Sequence, residues 1–218
     1  MMDFDKPNFE LALLEANKLL LQDGLIEDFP FQAKKIVKSC SSMSIHSYKK
    51  AIEKYDFNPK DLGSKSALTA CKWGRKLLLY NNEEYKPRVI WSILHELGHD
   101  RLNHPLNPEQ YRNKEIEAHF FAAQILMPEQ IIMELRRRGE KITSKFLQEN
   151  FGVSNEAAEK RLKTLNRINW EWRTEEENFF DEYVVKKFEV FLDSIHPIKP
   201  KFDEDYVQME VDRMDWRI

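Results

Sequence analysis

Pro87-Arg88-Val89-Ile90-Trp91-Ser92-Ile93-Leu94-His95-Glu96-Leu97-Gly98-His99-Asp100-Arg101-Leu102 decides what this chain folds into. Proline suits a first helical position, and only Gly98 then interrupts a helix from Arg88 to Leu102. Ile90, Ile93, Leu94, Leu97 and Leu102 recur at helical spacing, so one side of that helix belongs in a core. Residues four apart stand one turn above each other on one face. His95 and His99 therefore offer two imidazoles to a single metal ion with Glu96 beside them, the ligand, base, ligand pattern of zinc hydrolases. A buried helix does not gather such groups without partners, because an unpaired polar group costs on the order of 1–3 kcal/mol. Gly98 costs roughly 1 kcal/mol relative to alanine in mid-helix, and the expected return is room for another backbone or a substrate to approach.

A catalytic zinc site takes a third protein ligand and keeps its fourth position for water. Tyr111 to Met127 reads as a second helix, ended by Pro128. From Glu115, one face of it carries Ala118, Ala122 and Ile125. The two small residues would let this helix press against the histidine helix and bring Glu115 to the metal. From Glu117 the same steps land on the bulkier Phe120, Gln124 and Met127, so Glu117 is kept as the alternative ligand. His119, one turn beyond Glu115, either orients a ligand from outside or is an ordinary surface histidine. Zinc (Zn2+) held by His95, His99 and Glu115 would lower the pKa of water from about 15.7 toward 7. Glu96 would take the proton of the attacking water and pass it to the leaving amine. A donor to the tetrahedral oxyanion is also expected, and His104, Tyr111 and Arg112 are the candidates left open.

His95-Glu96-Leu97-Gly98-His99 is followed by Glu115, Glu117, Ala118, Phe121, Ala122, Ala123, Leu126, Met127 and Pro128. This order of motifs resembles the ImmA/IrrE family of metallopeptidases, over roughly residues 10 to 165. Leu77-Leu78-Leu79-Tyr80-Asn81-Asn82 is similar to the strand that leads into that family's active-site helix, and His104 matches a histidine often found there. His119 departs from the family, which usually has Asn or Asp at that position. The resemblance implies a cytoplasmic zinc protease of bacteria, phages or mobile elements, one that cleaves a helix-turn-helix transcriptional repressor.

The global numbers agree with an enzyme of modest size. A chain of 218 residues, 42% hydrophobic and 12% aromatic, suits one domain with an appendage or two small domains. A net charge of -3 gives no general case for nucleic-acid binding. Cys40 and Cys71 are too few and too far apart for a disulfide framework, so reduced thiols in a cytoplasm are the expectation. Met1 to Glu10 lacks the basic region and apolar core of a signal peptide. No apolar run approaches the roughly 18 residues of a membrane span.

Elsewhere, residues 8–23 read as a helix stopped by Gly24, and 31–56 as two helices separated near Ser41-Ser42. Ser66 to Cys71 and Lys76 to Tyr80 read as strands of a hairpin turning at Trp73-Gly74. Such an extended edge either binds substrate backbone by strand addition or simply covers the core. Glu129 to Arg138, Thr143 to Asn150 and, after Phe151-Gly152-Val153-Ser154, Asn155 to Leu165 read as helices. The last pair, with Arg161 and the run Arg136-Arg137-Arg138 nearby, resembles a helix-turn-helix. Docking of a protein substrate is favoured there over DNA contact. Glu175-Glu176-Glu177 suit the first turn of a helix carrying Phe179, Phe180, Tyr183, Phe188 and Phe191. The tail from Phe202 to Ile218 is expected to pack on the body.

The fold expected is therefore α+β and mainly helical, with a zincin-like HExxH helix packed beside a small β-sheet. Residues 1–128 would be the metallopeptidase domain, 129–169 a helix-turn-helix-like module and 170–218 an acidic, aromatic helical extension. The function expected is a gluzincin-like zinc endopeptidase acting on a protein, with no membrane partner. The rival is a regulatory protein that binds a repressor or DNA around a structural metal, closed by a fourth ligand such as His104 or His119.

Overall fold

The computed structural model describes residues 6–63, 66–105, 111–168 and 170–198. Its elements run α1 (Phe9–Leu21), α2 (Ala33–Cys40), β1 (Ser44–Ser47), α3 (Tyr48–Tyr55), α4 (Pro59–Leu62), β2 (Ala67–Lys72), β3 (Arg75–Tyr80) and α5 (Lys86–Arg101). They continue with α6 (Tyr111–Leu126), α7 (Glu129–Arg137), α8 (Ser144–Phe151), α9 (Asn155–Leu165), α10 (Glu175–Lys187) and α11 (Glu189–Ile195). The protein is mainly helical α+β, with one small mixed sheet in the order β1-β3-β2.

Leu77-Leu78-Leu79 sits in the middle strand because both faces of that strand are covered. Side chains alternate across a strand, so Leu78 joins the large helical core while Leu77 and Leu79 pack with Ala51, Tyr55 and Leu62 of α3 and α4. On one side β3 pairs antiparallel with β2, from Ala67↔Tyr80 to Lys72↔Arg75. The two residues left at the turn, Trp73 and Gly74, have φ of 52° and 70°. Two positive φ values match the twist of the strands, and glycine supplies one of them without steric cost. On the other side β1 pairs parallel with β3, from Ser44↔Leu77 to Ser47↔Tyr80.

β1 is the main departure from the sequence-based expectation of two helices over 31–56. Ser44-Ile45-His46-Ser47 is too short to show an alternating pattern, and its backbone partners lie more than thirty residues ahead in β3. The helix expected from Glu175 onward also divides, with Phe188 closing α10 and opening α11. The tail from Phe202 to Ile218 lies outside the described residues.

The large core runs from Ala12 to Leu192 and takes in buried residues of α1, α5, α6, α7, α8 and α9. Phe29 packs against Phe151, Phe188 and Phe191 with ring centroids 5.0–5.2 Å apart. This aromatic cluster ties the segment after α1 to α8 and α11. Arg161 on α9 is turned inward: its Nε donates to the Met127 carbonyl at 2.9 Å and its Nη2 to Gln124 Oε1. Gln124 donates in turn to Asn17 and Gln130, both at 2.9 Å. Arg137 and Arg138 are paired with Glu134, and Arg138 also with Asp193. Arg161 and Arg138 are thus turned into the fold, whereas the Arg137 side chain stays largely exposed. Among the described residues, no helix is long and apolar enough to cross a membrane.

Candidate metal centre

α5 has Pro87 in its first turn and buries Val89, Ile93, Leu94 and Leu97, which leaves His95, Glu96 and His99 on its less buried side. α6 crosses it face to face at the small residues foreseen. A Cβ placed on Gly98 would stand 3.0 Å from Phe121 Cδ1 and 3.3 Å from the Cα and carbonyl oxygen of Ala118. Ala118 and Ala122 are fully buried there. Gly98→Ala gains about 1 kcal/mol of helix propensity but must push back the α6 backbone, and overpacking typically costs about 1–3 kcal/mol. We therefore expect the metal-free variant to unfold at lower urea than wild type. A midpoint at or above that of wild type would show that α6 yields freely.

This close approach brings Glu115 to the histidines. His95 Nε2 and His99 Nε2 are 3.1 Å apart. Glu115 Oε2 lies 3.2 Å from the first and Oε1 lies 3.1 Å from the second. Donor atoms on a tetrahedral ion with bonds of about 2.0–2.1 Å stand about 3.3–3.4 Å apart. Two imidazoles and a carboxylate at this spacing fit a zinc ion. Glu96 is half-buried on α5, next in sequence to His95.

Glu117 points elsewhere. It is buried, and its Oε2 accepts from His104 Nε2 at 2.7 Å while its Oε1 accepts from the Asn8 backbone N–H at 2.8 Å. His104 Nδ1 meets His99 Nδ1 at 2.9 Å. Burial pushes the His104 imidazole down, against the pull of the Glu117 carboxylate. For Glu117, burial works upward, but the Asn8 N–H, His104 and Lys114 together carry it below the usual carboxylate range.

With both ring nitrogens engaged, His104 is not available to an oxyanion. Arg112 is exposed at the start of α6, and the side chain of Tyr111 lies outside the described residues. His119 stands at the mouth of the site, its ring centroid 4.4 Å from that of His95. It offers a ligand atom within 4.8 Å of those of His95 and Glu115. Its Nδ1 donates to the Glu115 carbonyl at 2.8 Å, which leaves Nε2 with its lone pair when the ring is neutral.

One residue near the site escaped the sequence. Tyr48 opens α3 directly after β1, and burial, followed by the charges of Glu96 and Glu84, pushes its phenol up to about 12. It remains a hydroxyl donor at any physiological pH. Tyr48 directly follows β1, the strand that carries no local signal.

No curated protein matches the chain. The profile of the IrrE N-terminal-like domain matches residues 46–163, more than half of the chain. That span begins in the second half of β1, contains β2, β3, α5 and α6, and ends in α9. On this match the chain belongs to the M78 peptidases, a family of metallopeptidases.

Proposed function

We propose that the protein is a zinc-dependent endopeptidase whose zinc is held by His95, His99 and Glu115 and whose substrate is a helix-turn-helix repressor in the cytoplasm. The observation that carries the chemistry is the cluster of two Nε2 atoms 3.1 Å apart, each within 3.1–3.2 Å of a different oxygen of the Glu115 carboxylate. The choice of a repressor rests on the resemblance to the ImmA/IrrE proteins. A zinc ion in this place supplies Lewis acidity, polarising a peptide carbonyl and acidifying water. Glu96, following the ligand His95 on the helix, accepts the proton of the attacking water and hands it to the leaving amine. Among the described residues β2 pairs only with β3, and it runs beside α5. Its outer edge supports extension of the sheet by a substrate strand.

A second reading is favoured by His119, whose free Nε2 is close enough to be weighed as a fourth ligand. A closed site would suit a regulatory protein that captures a repressor or DNA without cutting it. Incubating the protein with a helix-turn-helix repressor, with zinc and with a chelator, separates the two. We expect discrete fragments that require zinc. Stable capture of an intact repressor under both conditions would favour the regulatory protein.

A further inference from the structure

We propose that Glu117 and His104 are positioning residues that fix His99 in the one tautomer able to ligate, and that the start of α1 locks them in place. This rests on the metal reading given above. An imidazole ligates through a bare nitrogen, so His99 Nε2 can face the metal only if the ring proton sits on Nδ1.

The hydrogen bonds determine where that proton is. The Glu117 carboxylate can only accept, so His104 Nε2 carries a hydrogen across the 2.7 Å contact. A neutral ring has one N–H, which leaves His104 Nδ1 bare. The 2.9 Å contact between the two Nδ1 atoms must then be closed by a hydrogen from His99. The lone pair of His99 Nε2 is thereby aimed at His95 and Glu115. His95 has no such support among the described residues, where its buried Nδ1 lacks a hydrogen-bond partner.

The chain of contacts reaches back to the first helix. Asn8 caps α1 by accepting from the Leu11 N–H, and its own N–H donates to Glu117 Oε1. Asn8 lies outside the matched span of 46–163, so a residue beyond the family core closes the support of the metal site.

Glu117→Gln is the sharpest test because it keeps the shape and inverts the hydrogen bonds. The Asn8 N–H is fixed and needs an acceptor, so the amide oxygen turns toward it. Lys114, reaching Oε2 at 3.3 Å from a partly exposed position, can move away. The amide N–H then faces His104 Nε2, which must become the acceptor. His104 donates from Nδ1 to His99 Nδ1, and the proton of His99 moves to Nε2, where it blocks ligation.

Long-range nitrogen–proton correlation spectra of the metal-free protein should show His99 as the Nδ1–H tautomer in wild type and as Nε2–H in Glu117→Gln. Competition with a chromophoric chelator should show zinc affinity about 10–100-fold weaker in the variant, the range typical of lost outer-shell partners. His104→Ala should leave His99 a mixture of tautomers, and His104→Gln should restore much of the affinity. An unchanged His99 tautomer in both Glu117→Gln and a folded His104→Ala would overturn the proposal, as would unchanged zinc affinity in both. If wild type takes up no zinc while its His99 tautomer still follows Glu117, the metal reading fails and the orienting dyad stands.

Discussion

Glu96→Gln should bind zinc as wild type does and hydrolyse peptide bonds roughly 10²–10⁴-fold more slowly, the range a general base contributes. The two halves of that expectation have separate causes. The contacts that would hold an ion run between His95, His99 and Glu115, and Glu96 is in none of them. Glutamine has the same shape, so α5 and its packing on α6 should be undisturbed. An amide cannot take a proton from water, so the loss falls on the chemical step. Measuring kcat/KM beside zinc affinity by chelator competition makes the split visible. Loss of zinc together with activity would make Glu96 a ligand. Full activity would remove it from the mechanism.

What could be read from the sequence is what depends on neighbours along the chain. Gly74 marked the hairpin because glycine takes a positive φ without steric cost between extended runs, whereas the positive φ of Trp73 has no such local signal. Gly98 marked a close approach, and Ala118 is what approaches. The preference for Glu115 over Glu117 came from the small residues on its face, and the structure sends these carboxylates to different partners. What could not be read depends on chain segments that meet only in the fold. β1 exists because β3 offers it a parallel edge, and Tyr48 directly follows it. His104 and Glu117 meet across 13 residues, and Asn8 meets Glu117 across 109. Arg161 read only as a member of a helix-turn-helix-like module because no local pattern shows that Gln124 and the Met127 carbonyl await it inside.

Glu115→Ala and His119→Ala together decide whether the site is open. Structural zinc binds four ligands with about 10–16 kcal/mol, so removing one ligand is expected to cost on the order of 10²–10³-fold in affinity. Glu115→Ala should show that loss, because its carboxylate reaches both histidines, one oxygen to each. His119→Ala should change zinc affinity far less. Its ring is exposed at the mouth of the site, and its Nδ1 is held to the backbone of its own helix one turn earlier. If His95, His99 and Glu115 are the only protein ligands, a fourth position would be left for water and substrate. Chelator competition on both variants, with hydrolysis measured on His119→Ala, supplies the comparison. Equal losses of affinity in the two variants would mean four protein ligands and a sealed ion. The protein would then hold its metal for structure, and the carboxylate of Glu96 would have no water to activate.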